Sequence, residues 1–342
     1  MRRVLLIGAG SIGERHIRCM LATGRARVSV CDPHAPVREA VTQRYGLEKA
    51  FASFDEALME KWDAAVVATP APLHVPMALR LAEAGTHLLI EKPLSTGLRG
   101  VAELLQRVET SGLTAAVGYV LRAHPSLAAM RAAVAAGQFG RPLDLVVVAG
   151  QDFAGYRPAY RDIYYADRRQ GGGAIQDAIT HYFDAGAWLL GPMERVAVDA
   201  AHMRLEGVAV EDTVHAIARH GGVPASYAMN QYQAPDELSI TVVCEEGTAR
   251  FENHESRWRW KHPPDGPGGK QAWRDEPVKI AGRDDWFIRQ EQAFLDACEG
   301  RSPPLCSLRE GIETLRANLA ALASADQGGA WQMIDHGMMS TL

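Results

Sequence analysis

The sequence predicts an α/β protein in two parts. The first is a doubly wound dinucleotide-binding domain of the Rossmann type. The second is an α+β domain with a large, mostly antiparallel, open-faced sheet. Three observations predict this. A strand, a glycine turn and a helix follow one another within the first fifteen residues. Strands then alternate with helices as far as Gly118, which implies a parallel sheet with right-handed crossovers. From Arg195 onward most apolar segments alternate with period two, as in an antiparallel sheet covered on one side.

A chain of 342 residues is long enough for two domains with their own cores, and the break is expected near residue 120, giving 1–120 and 121–342. Hydrophobic residues make up 47% and charged residues 23%, the balance of a soluble globular protein. A formal net charge of −5 argues against non-specific nucleic-acid binding, which needs a basic face. The five cysteines are scattered, none at Cys-x-x-Cys spacing, so neither a disulfide framework nor a metal site is expected. The apolar run after Arg2 and Arg3 covers only Val4 to Ile7, too short for a secretory core. No segment approaches the ~20 apolar residues of a membrane span. The expectation is a soluble, cytoplasmic protein with reduced thiols.

Arg3 to Ile7 reads as a buried strand, and Gly8-Ala9-Gly10-Ser11-Ile12-Gly13 leads from it into a helix over Glu14–Leu21. Gly8 permits the tight turn, Gly10 lets a pyrophosphate approach the backbone, and Gly13 lets helix and strand pack closely. The helix start offers free N–H groups and a positive dipole end to the phosphates, so Gly8, Gly10, Ser11, Ile12 and Gly13 are candidate cofactor contacts. The next strand, Arg27–Cys31, ends in Asp32, about twenty residues beyond the glycines, where a carboxylate accepts from the adenosine ribose hydroxyls. A 2′-phosphate would meet that negative charge, and Pro33 and His34 follow rather than an arginine, so NAD is expected over NADP.

Helices follow over Pro36–Tyr45 and Phe54–Trp62, then a strand over Ala64–Ala68. The loop Thr69-Pro70-Ala71-Pro72-Leu73-His74 lies at that strand's carboxyl end, so Thr69, Pro70 and His74 are expected to border the dinucleotide, with His74 equally readable as a helix-start residue without a role. The strand His87–Ile90 runs straight into Glu91-Lys92-Pro93 at the same end of the sheet, so Glu91 and Lys92 are candidate cofactor contacts. A lysine one residue past a strand end points into the ligand cleft, and Pro93 fixes its own φ beside it. Lys92 is therefore the candidate acid/base centre. A helix over Gly97–Thr110 and a strand over Thr114–Gly118 complete the domain.

Together GAGSIG, Asp32, ATPAPLH and EKPL resemble the Gfo/Idh/MocA oxidoreductases, the relatives of glucose–fructose oxidoreductase and inositol dehydrogenase. The resemblance implies a hydride-transferring enzyme in which the lysine of Glu-Lys-Pro takes part in proton transfer, a role that falls here on Lys92. The stretch GGGAIQDAITHYFD resembles the family's second signature, an Asp-x-x-x-His pair on a substrate helix. It implies that Asp177 hydrogen-bonds substrate hydroxyls, that His181 is the general base or its partner, and that Asp184 is structural. From the spacing alone, Asp177, His181 and Asp184 fall on one face of a helix over Ala174–Leu190.

The second domain opens with YVLRAHP, whose Arg122 is a candidate substrate contact, and a helix over Ser126–Ala136. After a strand over Leu143–Ala149, the long loop 151–173 carries Tyr156, Tyr160, Tyr164 and Tyr165 among Arg157, Arg161, Arg168 and Arg169. Long irregular loops are often functional, and aromatic rings with guanidinium forks suit a sugar face bearing an acidic group. Tyr156 and Arg157 are the candidates, and the same loop is equally readable as a clamp on a neighbouring subunit. Later segments over Arg195–Ala200, Val214–Arg219, Ala225–Gln231, Leu238–Cys244 and Thr248–Glu252 read as strands. Arg257–Lys261 reads as a strand with two buried tryptophans rather than a nucleic-acid motif. A flexible loop over Pro263–Gly269, helices over Asp284–Gly300 and Ser307–Ser324 packing back on the first domain, and a short tail from Trp331 complete the chain. The resemblance further implies a homodimer or homotetramer through the sheet's open face.

The expected activity is NAD-dependent oxidation of a secondary hydroxyl on a sugar, cyclitol or sugar acid. Two other readings stay open: a glycosidase that uses bound NAD for redox elimination, and a non-enzymatic sugar or NAD sensor.

Overall fold

The computed structural model describes residues 1–263, 271–278 and 282–337. The chain forms two units, Met1–Ala123 with Ala281–Ile312, and His124–Ile280 with Glu313–Gly337. Among the described residues the chain thus enters the first unit twice.

Val4-Leu5-Leu6-Ile7 and Ala64-Ala65-Val66-Val67 are unbroken apolar runs, fully buried, as strands covered on both faces require. They belong to a parallel sheet of β1 (Arg2–Ile7), β2 (Ala26–Cys31), β3 (Ala50–Phe51), β4 (Ala64–Val67), β5 (His87–Ile90) and β6 (Ala115–Val117). The order is β3-β2-β1-β4-β5-β6. It reverses between β1 and β4, where Ile7 pairs with Val67, so the ligand crevice of such a sheet opens at Gly8 and Ala68. The connecting helices are α1 (Ser11–Ala22), α2 (Ala35–Tyr45), α3 (Phe54–Leu58), α4 (His74–Glu83) and α5 (Val101–Thr110).

The helix Arg283–Cys298 packs within this unit and buries Phe294 and Leu295 among Val4, Leu6, Ile17 and Met20. Burying side chains of this size contributes about 1.5–3 kcal/mol each. Two expected helices are shorter than the pattern suggested. The one over Phe54–Trp62 stops at Leu58, and Trp62 instead folds back so that its indole N–H donates to the Ala57 carbonyl at 2.8 Å. The one over Gly97–Thr110 begins at Val101, because Gly100 sits at φ 75° as the residue before the first turn.

In the second unit, α6 (Pro125–Ala135) starts at a proline, whose fixed φ suits a first helical position. A sheet follows from β7 (Pro142–Asp152), β8 (Met193–Ala201), β9 (Thr213–His220), β10 (Val223–Asn230), β11 (Tyr232–Cys244), β12 (Gly247–Glu252), β13 (Arg257–Lys261), β14 (Arg274–Pro277) and β15 (Gln332–Met333). Its order is β14-β13-β12-β11-β7-β10-β9-β8-β15, and all neighbouring pairs are antiparallel except β7 with β10. Period two decides the faces. Leu145, Val147, Ala216, Ala225, Tyr227 and Ile240 point inward and are buried.

The inner face is covered by a helical segment over 175–190, where Phe183 meets the Tyr227 ring edge-on at 5.1 Å. Gly186 is required there, since a Cβ would collide with the Tyr227 hydroxyl. Of the two tryptophans expected to be buried on β13, Trp258 is buried. Trp260 is half-buried, with the Arg274 guanidinium 4.7 Å above its ring. Apart from Pro263, the loop expected over Pro263–Gly269 lies outside the described residues. So do residues 338–342 of the expected tail, within which Gln332–Met333 pairs with β8.

Candidate active site

The candidate residues fall into two sets, one in each unit. In the first unit, Gly8 stands at φ 88°, and a Cβ on it would lie 2.6 Å from the Ala68 carbonyl oxygen. A Cβ on Gly13 would collide with the Gly8 carbonyl, while one on Gly10 would meet nothing within 4 Å. The turn is thus closed on the strand side at Gly8 and Gly13 and open at Gly10. Gly10 precedes α1 without any side-chain cap, which leaves the first N–H groups of the helix to face a ligand. This open cradle fits a pyrophosphate.

Asp32 lies at the end of β2, where its two carboxylate oxygens accept from the Ala9 N–H at 2.7 Å and the His34 N–H at 2.8 Å. Arg38 donates to the Asp32 carbonyl at 2.7 Å. The carboxylate is therefore held in one orientation beside the glycine turn.

Thr69 and Pro70 lie past the end of β4. His74 is buried, with Nδ1 3.0 Å from the Pro93 carbonyl and Nε2 2.7 Å from the Thr69 carbonyl. Burial lowers its proton affinity, so the ring is neutral and donates to one of the two at a time. His74 is a strut between the loop after β4 and the Lys92–Pro93 turn. It is also the first residue of α4, as the helix-start reading expected.

Lys92 follows β5 by two residues and is half-buried, before a cis bond to Pro93. Glu91 does not point toward solvent. Its Oε1 lies 2.8 Å from His16 Nε2, and its Oε2 accepts from the Lys92 backbone N–H at 3.1 Å. Behind it, His16 Nδ1 meets Glu291 on the helix Arg283–Cys298. Burial alone would discharge this imidazole, but the two carboxylates outweigh it and raise its pKa to about 10. Arg122, expected at the substrate, is buried, and its Nη1 donates to the Leu305 carbonyl at 2.9 Å and to Glu310.

In the second unit the chain from Ile175 to Ile179 forms a single π-helical turn, which continues as the α-helix Thr180–Leu190. Such turns frequently mark functional sites. Gly173, at φ 84°, leaves room for the buried Glu211, which accepts from the Ile175 N–H at 3.0 Å and Arg168 Nε at 2.8 Å. Asp177, only 8% exposed, accepts from the Tyr164 hydroxyl at 2.8 Å. His181 is half-buried one turn on. Asp184 is fully buried and accepts from the Thr314 hydroxyl at 3.3 Å, so this face is not the wet side of an amphipathic helix.

The loop 151–173 differs from the irregular segment expected. Short helical turns over Phe153–Tyr156, Tyr164–Ala166 and Arg168–Gln170 pack Phe153, Tyr160 and Tyr165 with Leu205 and Val210 into a small core. Tyr160 and Tyr165 are therefore structural, whereas Tyr156 and Tyr164 remain 44% and 38% exposed. Arg161 donates to the Glu206 carbonyl, Arg168 pairs with Glu211 and Asp326, and Arg169 pairs with Asp167. Arg157 is half-buried and has no ion pair among the described residues.

Two family models match this chain. One, an oxidoreductase family with an NAD-binding Rossmann fold, matches residues 2–119, and the other, the GFO/IDH/MocA C-terminal domain, matches residues 127–250. The chain belongs to the Gfo/Idh/MocA oxidoreductases. It is an NAD-binding enzyme of the dehydrogenase type that acts on CH–OH groups.

Among curated members of the family, it is 29% identical over 337 residues to 1,5-anhydro-D-fructose reductase of Ensifer adhaerens, covering 96% of this chain and 98% of that protein. It is 27% identical over 314 residues to inositol 2-dehydrogenase of Corynebacterium glutamicum, covering 86% and 85%. Among solved structures, levoglucosan dehydrogenase in complex with NADH and levoglucosan has the same fold, with a TM-score of 0.88 at 20% identity over 97% of this chain and 99% of that one. The WlbA dehydrogenase from Bordetella pertussis, in complex with NADH and UDP-GlcNAcA, superposes with a TM-score of 0.81 at 26% identity, covering 98% and 99%.

Within this Gfo/Idh/MocA oxidoreductase, sequence reasoning missed His16, Glu291 and Glu211. His16 carried a faint signal, a polar residue on the buried side of α1 between Gly13 and Ile17. Glu291 carried none, since the residue it serves lies 275 positions away.

Proposed function

We propose that this protein is an NAD-dependent dehydrogenase of a secondary hydroxyl on a sugar, cyclitol or sugar acid, with Lys92, Asp177 and His181 as the chemical groups. The observation that carries the reading is the pairing of an open glycine cradle with a half-buried lysine at the end of β5, in one parallel sheet. Bound nicotinamide supplies hydride acceptance and return at the carbon bearing the hydroxyl. Asp177, oriented by Tyr164, accepts hydrogen bonds from substrate hydroxyls. His181 and Lys92 share the hydroxyl proton, a contribution worth about 10²–10⁴-fold. Gly8, Gly10, Ser11, Ile12 and Gly13 hold the pyrophosphate, while Thr69, Pro70 and His74 border it. Tyr156 and Arg157 face the substrate, and Arg157 suits a carboxylate on it.

NAD is preferred over NADP because the fixed Asp32 carboxylate accepts from a ribose diol and repels a 2′-phosphate. The protein works in the cytoplasm, which suits its free cysteines. It self-associates as a dimer or tetramer through the outer face of the large sheet. There an open groove of about 410 Å³ is lined by Val146, Val148, Ala197, Ile217, Ser226 and Ala228, and Ile217 is exposed.

The test is NADH formation from NAD with a panel of myo-inositol, scyllo-inositol, levoglucosan, glucuronate and UDP-GlcNAcA. Turnover that survives in Lys92→Met removes the assignment.

A further inference from the structure

Lys92 is the group asked to handle a proton, and the first unit grips its backbone from both sides. On one side His74 sits against the Pro93 carbonyl. On the other, a chain of buried polar groups runs from Glu291 through His16 and Glu91 to the Lys92 N–H. Nothing in the proton chemistry proposed above uses that second chain.

It is nonetheless built at some cost. Three ionisable side chains are removed from water, and each buried charge carries a penalty unless it is paired and hydrogen-bonded. The geometry is tight as well. A Cβ on Gly118 would stand 2.8 Å from Glu91 Oε1, so β6 is followed by a residue small enough to admit the carboxylate. Phe287 closes the His16 ring edge-on at 5.6 Å.

We propose that His16 is a positioning residue for Lys92, acting through Glu91 and steadied in turn by Glu291. Both ring nitrogens of His16 face carboxylates, so the ring donates twice and is an imidazolium. It thereby holds the Glu91 carboxylate turned back into the unit, one oxygen on the imidazole and the other on the Lys92 N–H. This does two things for the lysine. It fixes the backbone at the strand end, and it keeps the adjacent carboxylate from closing on the Lys92 ammonium. Within this unit the titratable groups arrayed around Lys92 are Glu91, His16 and Glu291 on one side and neutral His74 on the other. His16 also rides on α1, whose free end forms the glycine cradle, so one rigid helix carries both the phosphate site and the anchor of the lysine.

The inference rests on Lys92 being the proton-handling group, and its test is chosen to be read without substrate. The probe is acetic anhydride, with acetylation of Lys92 measured across pH by peptide mass spectrometry against exposed Lys61 as internal reference. Tryptophan-to-NADH energy transfer reports folding and cofactor binding. In His16→Gln the Glu91 carboxylate loses the imidazolium that turns it away from the lysine next to it in the chain. Lys92 acetylation at pH 8 then slows about fivefold or more relative to Lys61, since one pKa unit is a factor of about ten in free amine. NADH affinity stays within about twofold.

Glu291→Gln retains an acceptor for His16 and loosens it only partly, so the slowing there is about twofold. An unchanged Lys92-to-Lys61 ratio in His16→Gln that binds NADH overturns the proposal. If His16→Gln does not fold, an unchanged ratio in Glu291→Gln overturns it equally. Loss of turnover in Lys92→Met together with an unmoved ratio defeats only the positioning role, whereas retained turnover in Lys92→Met defeats the chemistry beneath it.

Discussion

The glycine turn before α1 and the loop 151–173 are both proposed to meet a ligand, yet they are built in opposite ways. The turn works through backbone. Its N–H groups and the space at Gly10 make the site, and side chains matter mainly by being absent. The loop works through side chains. Phe153, Tyr160 and Tyr165 form its floor, Arg168 and Glu211 clamp its end, and Tyr164 reaches over to Asp177. A backbone site accepts one cofactor chemistry and here tolerates no Cβ at Gly8 or Gly13. A side-chain site keeps its scaffold while its exposed members change, which is where differences in substrate arise within one fold.

Substitutions sharpen this contrast, beginning with the proposed proton carrier. Lys92→Met is expected to reduce turnover at least about 10³-fold while NADH titration is unchanged within twofold, because one proton carrier is removed and the cradle is untouched. Gly13→Ala brings a Cβ onto the Gly8 carbonyl and should weaken NADH binding by about 100-fold, roughly 2.7 kcal/mol. A normal affinity there would mean that the turn does not bind through its backbone. Asp32→Ala should lower the NAD-to-NADP ratio of kcat/KM by about tenfold or more, the value of a lost charge-assisted hydrogen bond.

On the side-chain region, Tyr164→Phe leaves Asp177 in place and removes one of its hydrogen-bond donors. It should raise the substrate KM about fivefold, near 1 kcal/mol, with NADH affinity unaltered. A change in NADH affinity instead would break the division between the two regions.

The smallest effects are in stability against pH, and they too separate the units. His16 is charged in the fold, its pKa raised to about 10 from an unfolded value of 6.5. Its contribution is complete below 6.5 and is lost as pH climbs through 10. His220 is the reverse. Burial lowers it to about 4 despite the Gly191 carbonyl at its Nδ1, so the unfolded chain binds its proton first. Its contribution is complete above 6.5 and fades as pH drops toward 4. Thermal unfolding across this range should show the acid limb suppressed in His220→Gln and the alkaline limb suppressed in His16→Gln.

The same contrast explains what the sequence disclosed. The strands β1, β4 and β5, the glycine turn and Asp32 were legible because each is a local pattern with its own spacing. Gly173 was legible as a glycine, but its partner Glu211 was not, since a clamp across 38 positions leaves no periodic trace. Arg122 misled for a related reason. The sequence marks it as a candidate substrate contact, and only the return of the chain at Leu305 and Glu310 shows that its Nη1 is engaged within the first unit. The inner face of the large sheet was readable from period two, whereas the π-helical turn at Asp177 has no signature in composition.

The two margins of the large sheet carry a consequence for how the protein behaves when crowded. β14 is fully exposed and reads Arg274-Asp275-Glu276-Pro277, and β15 is only two residues long. Charge, a proline and brevity all discourage a foreign strand from zipping onto a border. Growth of this sheet into ribbons is thereby blocked at either rim. High concentrations should yield finite, reversible assemblies in preference to fibrils.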